Sequence, residues 1–178
     1  LRTSSAASDV YKRQLQVFIG GPSASVQPVG TPGSNPGGGY FAGGGGGGVY
    51  TGANAGSGGD GGGGDGGETS DSTAGEQSTG GGGGGNSGKA GGSGIVVLRY
   101  KVGEIAGTAK ATGGSVSFYN GKTIHTFINS GTFATTTDWS SADVEYLVVG
   151  GGGGGGSIIG GGGGCLLYTS PSPRDYPG

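Results

Sequence analysis

The sequence predicts an all-β fold in which short antiparallel β-meander and hairpin modules carry long glycine-rich excursions. Three observations carry that expectation. No segment sustains the apolar periodicity of a helix. The apolar residues gather in short β-branched runs such as "IVVLRYKV" and "VEYLVV", the composition of strands. Those runs emerge from, or lead straight into, glycine, which supplies 53 of the 178 residues.

Composition narrows the class further. Collagen needs Gly at every third position and abundant Pro, whereas this Gly comes in runs and there are 7 prolines. Charged residues are 11 % and the net charge is -2, so no basic surface for nucleic acid or an anionic membrane is expected. The single Cys165 rules out a disulfide framework or thiolate metal site within the chain. No apolar stretch approaches the roughly 20 residues of a membrane-spanning helix.

The elements follow in chain order. "LQVFI" (Leu15–Ile19) is a strand with Val17 and Ile19 on one face. A Pro/Gly/Ser loop and the run "YFAGGGGGGVYTGANAG" come next. The following "SGGDGGGGDGGETSDSTAGEQSTGGGGGGNSGKAGGSG" has almost no apolar residue and cannot bury a conventional core. "IVVLRYKV" (Ile95–Val102) is a strong strand. In "SVSFYNGKTIHTF" the Asn120-Gly121 pair marks a type I′ hairpin, whose two central positions need positive φ. That turn pairs Tyr119 with Lys122 and sets Val116 and Phe118 on the face of Thr123, His125 and Phe127. A second turn at Asn129–Gly131, with Gly131 left-handed, would set Phe127 opposite Phe133. "TTTDWSSAD" is a connecting loop with Trp139, and "VEYLVV" (Val144–Val149) is a strand running into "GGGGGGGSIIGGGGG".

The Gly runs bring no side-chain burial to offset the cost of ordering them. They are expected to stay disordered or to order through backbone hydrogen bonds between neighbours. Extended polyglycine has three residues per turn, as polyproline II does, and without Cβ such strands pack closely. Stacked repeats, or chains that trimerise, would supply the neighbours.

The two ends differ from the rest. Asp9–Gln14 can be encoded GAT GTG TAT AAG AGA CAG; its reverse complement, read one base out of phase, translates as Cys165–Ser170. Two unrelated peptides thus fit one inverted DNA repeat, which matches the transposase tag used in sequencing libraries. Residues 1–14 and 165–178 are therefore read as translated adapter sequence and set apart from the fold. Between them, residues 15–102 form a glycine-rich segment ending in the strand at 95–102. Residues 103–114 are a linker, and 115–164 a hairpin segment running into Gly.

Motifs that suggest chemistry have weaker readings than their spelling implies. "GGGNSGKA" (Gly83–Ala90) fits a phosphate-binding loop, but Ala90 stands where a magnesium-binding Ser or Thr belongs and Gly-rich sequence flanks both sides. Gly56–Gly61 matches G-x-G-x-x-G in a chain where Gly is too common for the match to carry meaning. Asp60, Asp65, Glu68, Asp71 and Glu76 are read as solvated loop charges, without the spacing of a calcium-binding repeat. His125, the single His, is a strand residue without a catalytic partner motif. No catalytic residue, cofactor or metal ligand is assigned. Tyr40, Phe41 and Tyr50 flank a Gly run and are receptor-binding candidates, since aromatics dominate binding hot spots. The reading the pattern favours is that they pin the Gly tract to a sheet.

The stretches "TIHTFINSGTFATTTDWSSADVEYLVVGGGGGGG" and "GGSGIVVLRY" resemble the glycine-rich modules of phage tail-fibre and adhesin-like proteins from environmental sequences. In those modules a hairpin and a "VEYLVV"-like strand come first and an "IVIVRY"-like strand closes the module; here that order is permuted. The resemblance implies a non-enzymatic structural or receptor-binding part of a virion, with polyglycine II packing in the Gly runs. It further implies a host-surface glycan or protein as ligand, and homo-oligomers (trimers) or tandem modules. The rival is a secreted bacterial cell-surface or matrix protein. An enzyme would need an active site outside these residues.

Overall fold

The structure is a computed structural model that describes residues 15–17, 19, 30–32, 39–51, 54–68, 71–101, 109–137, 139, 144–165 and 168–170. Its strands are β1 (Leu15–Val17), β2 (Thr31–Pro32), β3 (Gly39–Phe41), β4 (Ile95–Lys101), β5 (Ala111–Thr112), β6 (Ser115–Tyr119), β7 (Lys122–Phe127), β8 (Ala134–Thr135), β9 (Glu145–Val149) and β10 (Tyr168–Ser170). The described residues contain no helix, so none is long and apolar enough to cross a membrane. The fold is all-β with antiparallel pairing, as the sequence predicts.

β4 is the middle of the main sheet, whose order is β10-β9-β4-β7-β6. Its β-branched composition suits that place, because a central strand is covered on both faces. One face carries Ile95 and Val97, opposite Val149 and Leu147 of β9, while Ile124 of β7 stands opposite Arg99. These residues close against Ile19 and Phe41 to form the apolar core, with Tyr119 packed at its side. Phe41 comes from the three-stranded sheet β1-β3-β2. The strand ending the first segment thus sits between two strands of the second, and the two segments fold as one sheet.

The opposite face is aromatic. Tyr100, Thr123 and His125 are buried there. The ring of Phe133 meets His125 edge-on with centroids 5.2 Å apart, and Trp139 meets Tyr100 edge-on at 4.9 Å. The Asn120-Gly121 turn is as expected: φ is 47° and 68°, and Tyr119 pairs with Lys122.

The second hairpin does not form. Gly131 is not among the residues with positive φ, and the strand after it, β8, pairs with β5 rather than β7. Phe133 gains more by closing over His125 and Tyr100 than by standing opposite Phe127. The Phe127 ring instead covers Gly113, Gly114 and Gly131, where an added Cβ would come within 3.0–3.1 Å of it. The 103–114 linker is also shorter than expected, since it contains β5. At the far edge β10, within residues 165–178, pairs with β9.

The Gly runs hydrogen-bond to one another within the chain. Gly43, Gly46 and Val49 donate to the carbonyls of Gly61, Gly64 and Gly67 at 2.9–3.0 Å. This step of three on both runs is the period of an extended polyglycine helix. Between those donors, Gly45 and Gly48 donate to Gly162 and Ile159, on another side.

The run 80–86 is the hub. It bonds to six others: to 43–46 through Gly82 and Gly85, to 64–67 through the same residues' carbonyls, to Thr73 through Gly84, to 92–93 through Gly80 and Gly81, to 153–156 through Gly83 and Asn86, and to 162–165 through Gly83 and Gly80. Only glycine permits this approach: a Cβ on Gly82 would run into the Gly162 carbonyl, and one on Gly46 into that of Gly56. The bundle sits on the end of the sheet, with β3, β4 and β9 continuing into or out of it.

Candidate functional site

Away from the sheet, the runs end in turns that meet at one tip. The turns are those around Val49–Tyr50, Gly67–Glu68, Asn86–Lys89 and Ser157–Ile159. Asn86 ties them. Its side-chain amide donates to the carbonyls of Val49 (2.9 Å), Gly67 (3.1 Å) and Glu68, while its backbone N–H donates to Gly156 (3.0 Å). Its φ is 71°, a left-handed conformation that Asn tolerates better than most residues. Gly88 donates to the same Gly156 carbonyl, Gly48 to Ile159, and the hydroxyls of Ser72 and Ser87 meet at 2.7 Å.

This backbone knot leaves three large apolar side chains outside: Tyr50 is 79 % exposed, Ile158 59 % and Ile159 63 %. Apolar side chains held open on tightly bonded turns carry little ordering cost on binding. Of the three aromatic candidates, only Tyr50 faces solvent. Phe41 is wholly buried in the core and Tyr40 nearly so, which withdraws both as receptor contacts: a ring closed in by the sheet cannot meet a ligand. Ile158 and Ile159 went unassigned in sequence terms because two apolar residues between Gly runs look like a broken strand. Asn86 was masked by the phosphate-loop spelling around it.

The remaining motif residues have structural places. Gly83–Lys89 forms part of the bundle hub and a tip turn, with no helix following it. Asp65 is solvent-exposed, as expected of a loop charge, and it also staples the loop: its carboxylate accepts from the Gly58 N–H at 2.7 Å, and its own N–H donates to the Thr73 hydroxyl at 2.7 Å. His125 is enclosed between Tyr100 and the Gly113 carbonyl. Among the described residues no group of three His, Cys, Asp or Glu side chains could hold a metal ion.

One charged cluster lies on the sheet. Glu145 takes hydrogen bonds from Arg99 (Nε at 2.8 Å) and from Lys122. Burial alone would raise its pKa, but the hydrogen bonds from Lys122 and Arg99 and their charges outweigh that and hold the carboxyl below its ordinary value. A cavity of about 530 Å³ lies at the other end of the bundle from the tip, between the turn Glu76–Thr79 and β6.

An all-β sheet carrying an intramolecular polyglycine bundle defines a glycine-rich module, and comparison with known families agrees. Residues 5–101, more than half the chain, match the family described as the glycine-rich domain. The chain belongs to that family. The matched span opens inside the 1–14 stretch read above as adapter-encoded. Comparison with curated proteins and with solved structures finds no match.

Proposed function

We propose that this chain is a non-enzymatic, receptor-binding module of a phage tail fibre or similar virion adhesin, which presents the bundle tip to a host-surface glycan or protein. The observation that carries the reading is the tip itself. Four turns are tied by Asn86, and Tyr50, Ile158 and Ile159 stand exposed upon them. In this reading the sheet is the rigid base and the Gly bundle a spacer, repeated in tandem modules or in oligomers. Its placement on a virion rests on the resemblance of the "VEYLVVGGGG" and "IVVLRY" stretches. The same reading takes residues 1–14 and 165–178 as adapter-encoded, supported by the inverted repeat in their codons.

The test is adhesion of the fluorescently labelled chain to bacteria from the source community, beside a variant carrying Tyr50→Ala, Ile158→Ser and Ile159→Ser. Adhesion to a subset of cells, lost in the variant, is expected. No adhesion, or adhesion indifferent to the three substitutions, overturns the reading. Sequencing outward from the codons of 115–149 separates the two settings. Virion genes alongside are expected, whereas secretion and cell-wall genes would make this a bacterial surface or matrix protein.

A further inference from the structure

The main sheet ends at β6, whose outer side has no partner strand among the described residues. Tyr119 and Lys122 flank the two-residue turn and therefore exchange both backbone bonds. Alternation along the strand then turns Ser117 and Ser115 toward β7, and turns the N–H and C=O groups of Val116 and Phe118 outward. Soluble proteins guard such edges with Lys, Pro or a bulge. β6 reads Ser-Val-Ser-Phe-Tyr, pairs with β7 without a break, and carries no charge. Val116 is 42 % exposed and Phe118 50 %.

We propose that β6 is a docking edge for β6 of a second copy of this chain, paired antiparallel about a two-fold axis at Ser117. The strand is complementary to itself in that register. Val116 faces Phe118 of the second copy and Phe118 faces its Val116, a β-branched residue against an aromatic each time, among the favourable cross-strand pairs. Ser115 faces Tyr119, and Ser117 faces itself. The hydrogen-bond phase agrees, because the outward groups of Val116 and Phe118 meet one another as bonded pairs. The adjacent registers of the same phase, centred on Val116 or Phe118, would set one of the two against Gly114 or Asn120 and lose an apolar pair. No like charges meet across the axis. The two sheets join into one, which is an isologous contact. This inference stands apart from the receptor-binding reading, since the tip lies at the far end of the bundle.

The register has a direct test. Ser117 and its symmetry mate form a pair without mutual hydrogen bonds, with Cα atoms about 4.5 Å apart, which a disulfide spans. In the full chain with Cys165→Ser, Ser117→Cys should give a disulfide-linked dimer on mild oxidation. Val116→Cys, opposite Phe118 rather than itself, should give little. Sedimentation equilibrium should show a monomer–dimer equilibrium, weakened by about tenfold or more in Phe118→Lys. A chain that stays monomeric up to millimolar concentration, a trimer, or crosslinking of Val116→Cys as fast as that of Ser117→Cys overturns the proposal. Circular dichroism checks each variant's fold. Should Phe118→Lys unfold, the Ser117→Cys comparison decides alone.

Discussion

The Tyr100 hydroxyl lies 3.1 Å from Nε2 of His125, whose Nδ1 lies 2.7 Å from the Gly113 carbonyl oxygen. A carbonyl only accepts, so Nδ1 carries the proton, and in the neutral ring Nε2 accepts from Tyr100. Both partners are buried. The lone His thus joins β4 and β7 to the loop before β6, with both ring nitrogens hydrogen-bonded. Tyr100→Phe strands a buried Nε2 acceptor. It should cost about 1–3 kcal/mol, read as a lower denaturation midpoint with an unchanged slope.

Thr123, opposite Tyr100 on the same face, gives the contrary expectation. Its hydroxyl is buried without a hydrogen-bond partner among the described residues. Thr123→Val keeps the shape and removes the unpaired group. Stability should rise by about 1 kcal/mol, seen as an increase in melting temperature. A fall would mean that the hydroxyl has a partner in solution.

The strands were legible in the sequence because their residues state their own conformation. Asn120-Gly121 named a turn with two positive φ angles, and the β-branched runs named β4 and β9. Pairing over distance was not legible. Nothing in "IVVLRY" says that it will lie between β7 and β9, and Phe133 suits an aromatic cluster as well as a hairpin. The Gly runs were the least legible, because register among glycines is set by backbone bonds that no side chain announces. At the tip, Tyr50 stands out in the sequence because it is aromatic, while Asn86 acts through carbonyls that every residue has.

The bundle therefore makes its own prediction about which glycines matter. Around Gly44 and Gly163 an added Cβ meets nothing within 4 Å, and neither has positive φ. Ala at either position should be neutral or stabilise by up to about 0.4–1 kcal/mol through the unfolded chain. At Gly82 or Gly46 the same change drives a methyl into a neighbouring carbonyl. It should cost at least the ~1–3 kcal/mol of an overpacked core. Hydrogen exchange across 80–86 should show the loss.

Asn86 separates geometry from bonding at the tip. Asn86→Gly keeps the positive φ and removes the amide; Asn86→Asp sets a carboxylate against the carbonyls of Val49, Gly67 and Glu68. Both should speed exchange at 48–50 and 67–68, and Asp more than Gly, because like partial charges then face one another. Rates unchanged from wild type in both variants would show that the backbone bonds alone hold the tip.

The pH dependence rests on Glu145. Burial raises its pKa, but the hydrogen bonds and charges of Lys122 and Arg99 bring it below the ordinary 4.5. The folded state therefore binds this proton less tightly than the unfolded chain does. By linkage, the stabilisation is present above the unfolded value and is lost as pH falls through the folded value, below 4.5. Glu145→Gln cannot take part in this titration. Wild type should thus lose stability more steeply than Glu145→Gln as the medium is acidified below pH 4.5, and their difference should be flat above pH 6 or so, where the carboxyl is ionised in both states. Parallel curves throughout would mean that Arg99 and Lys122 do not hold Glu145 in solution.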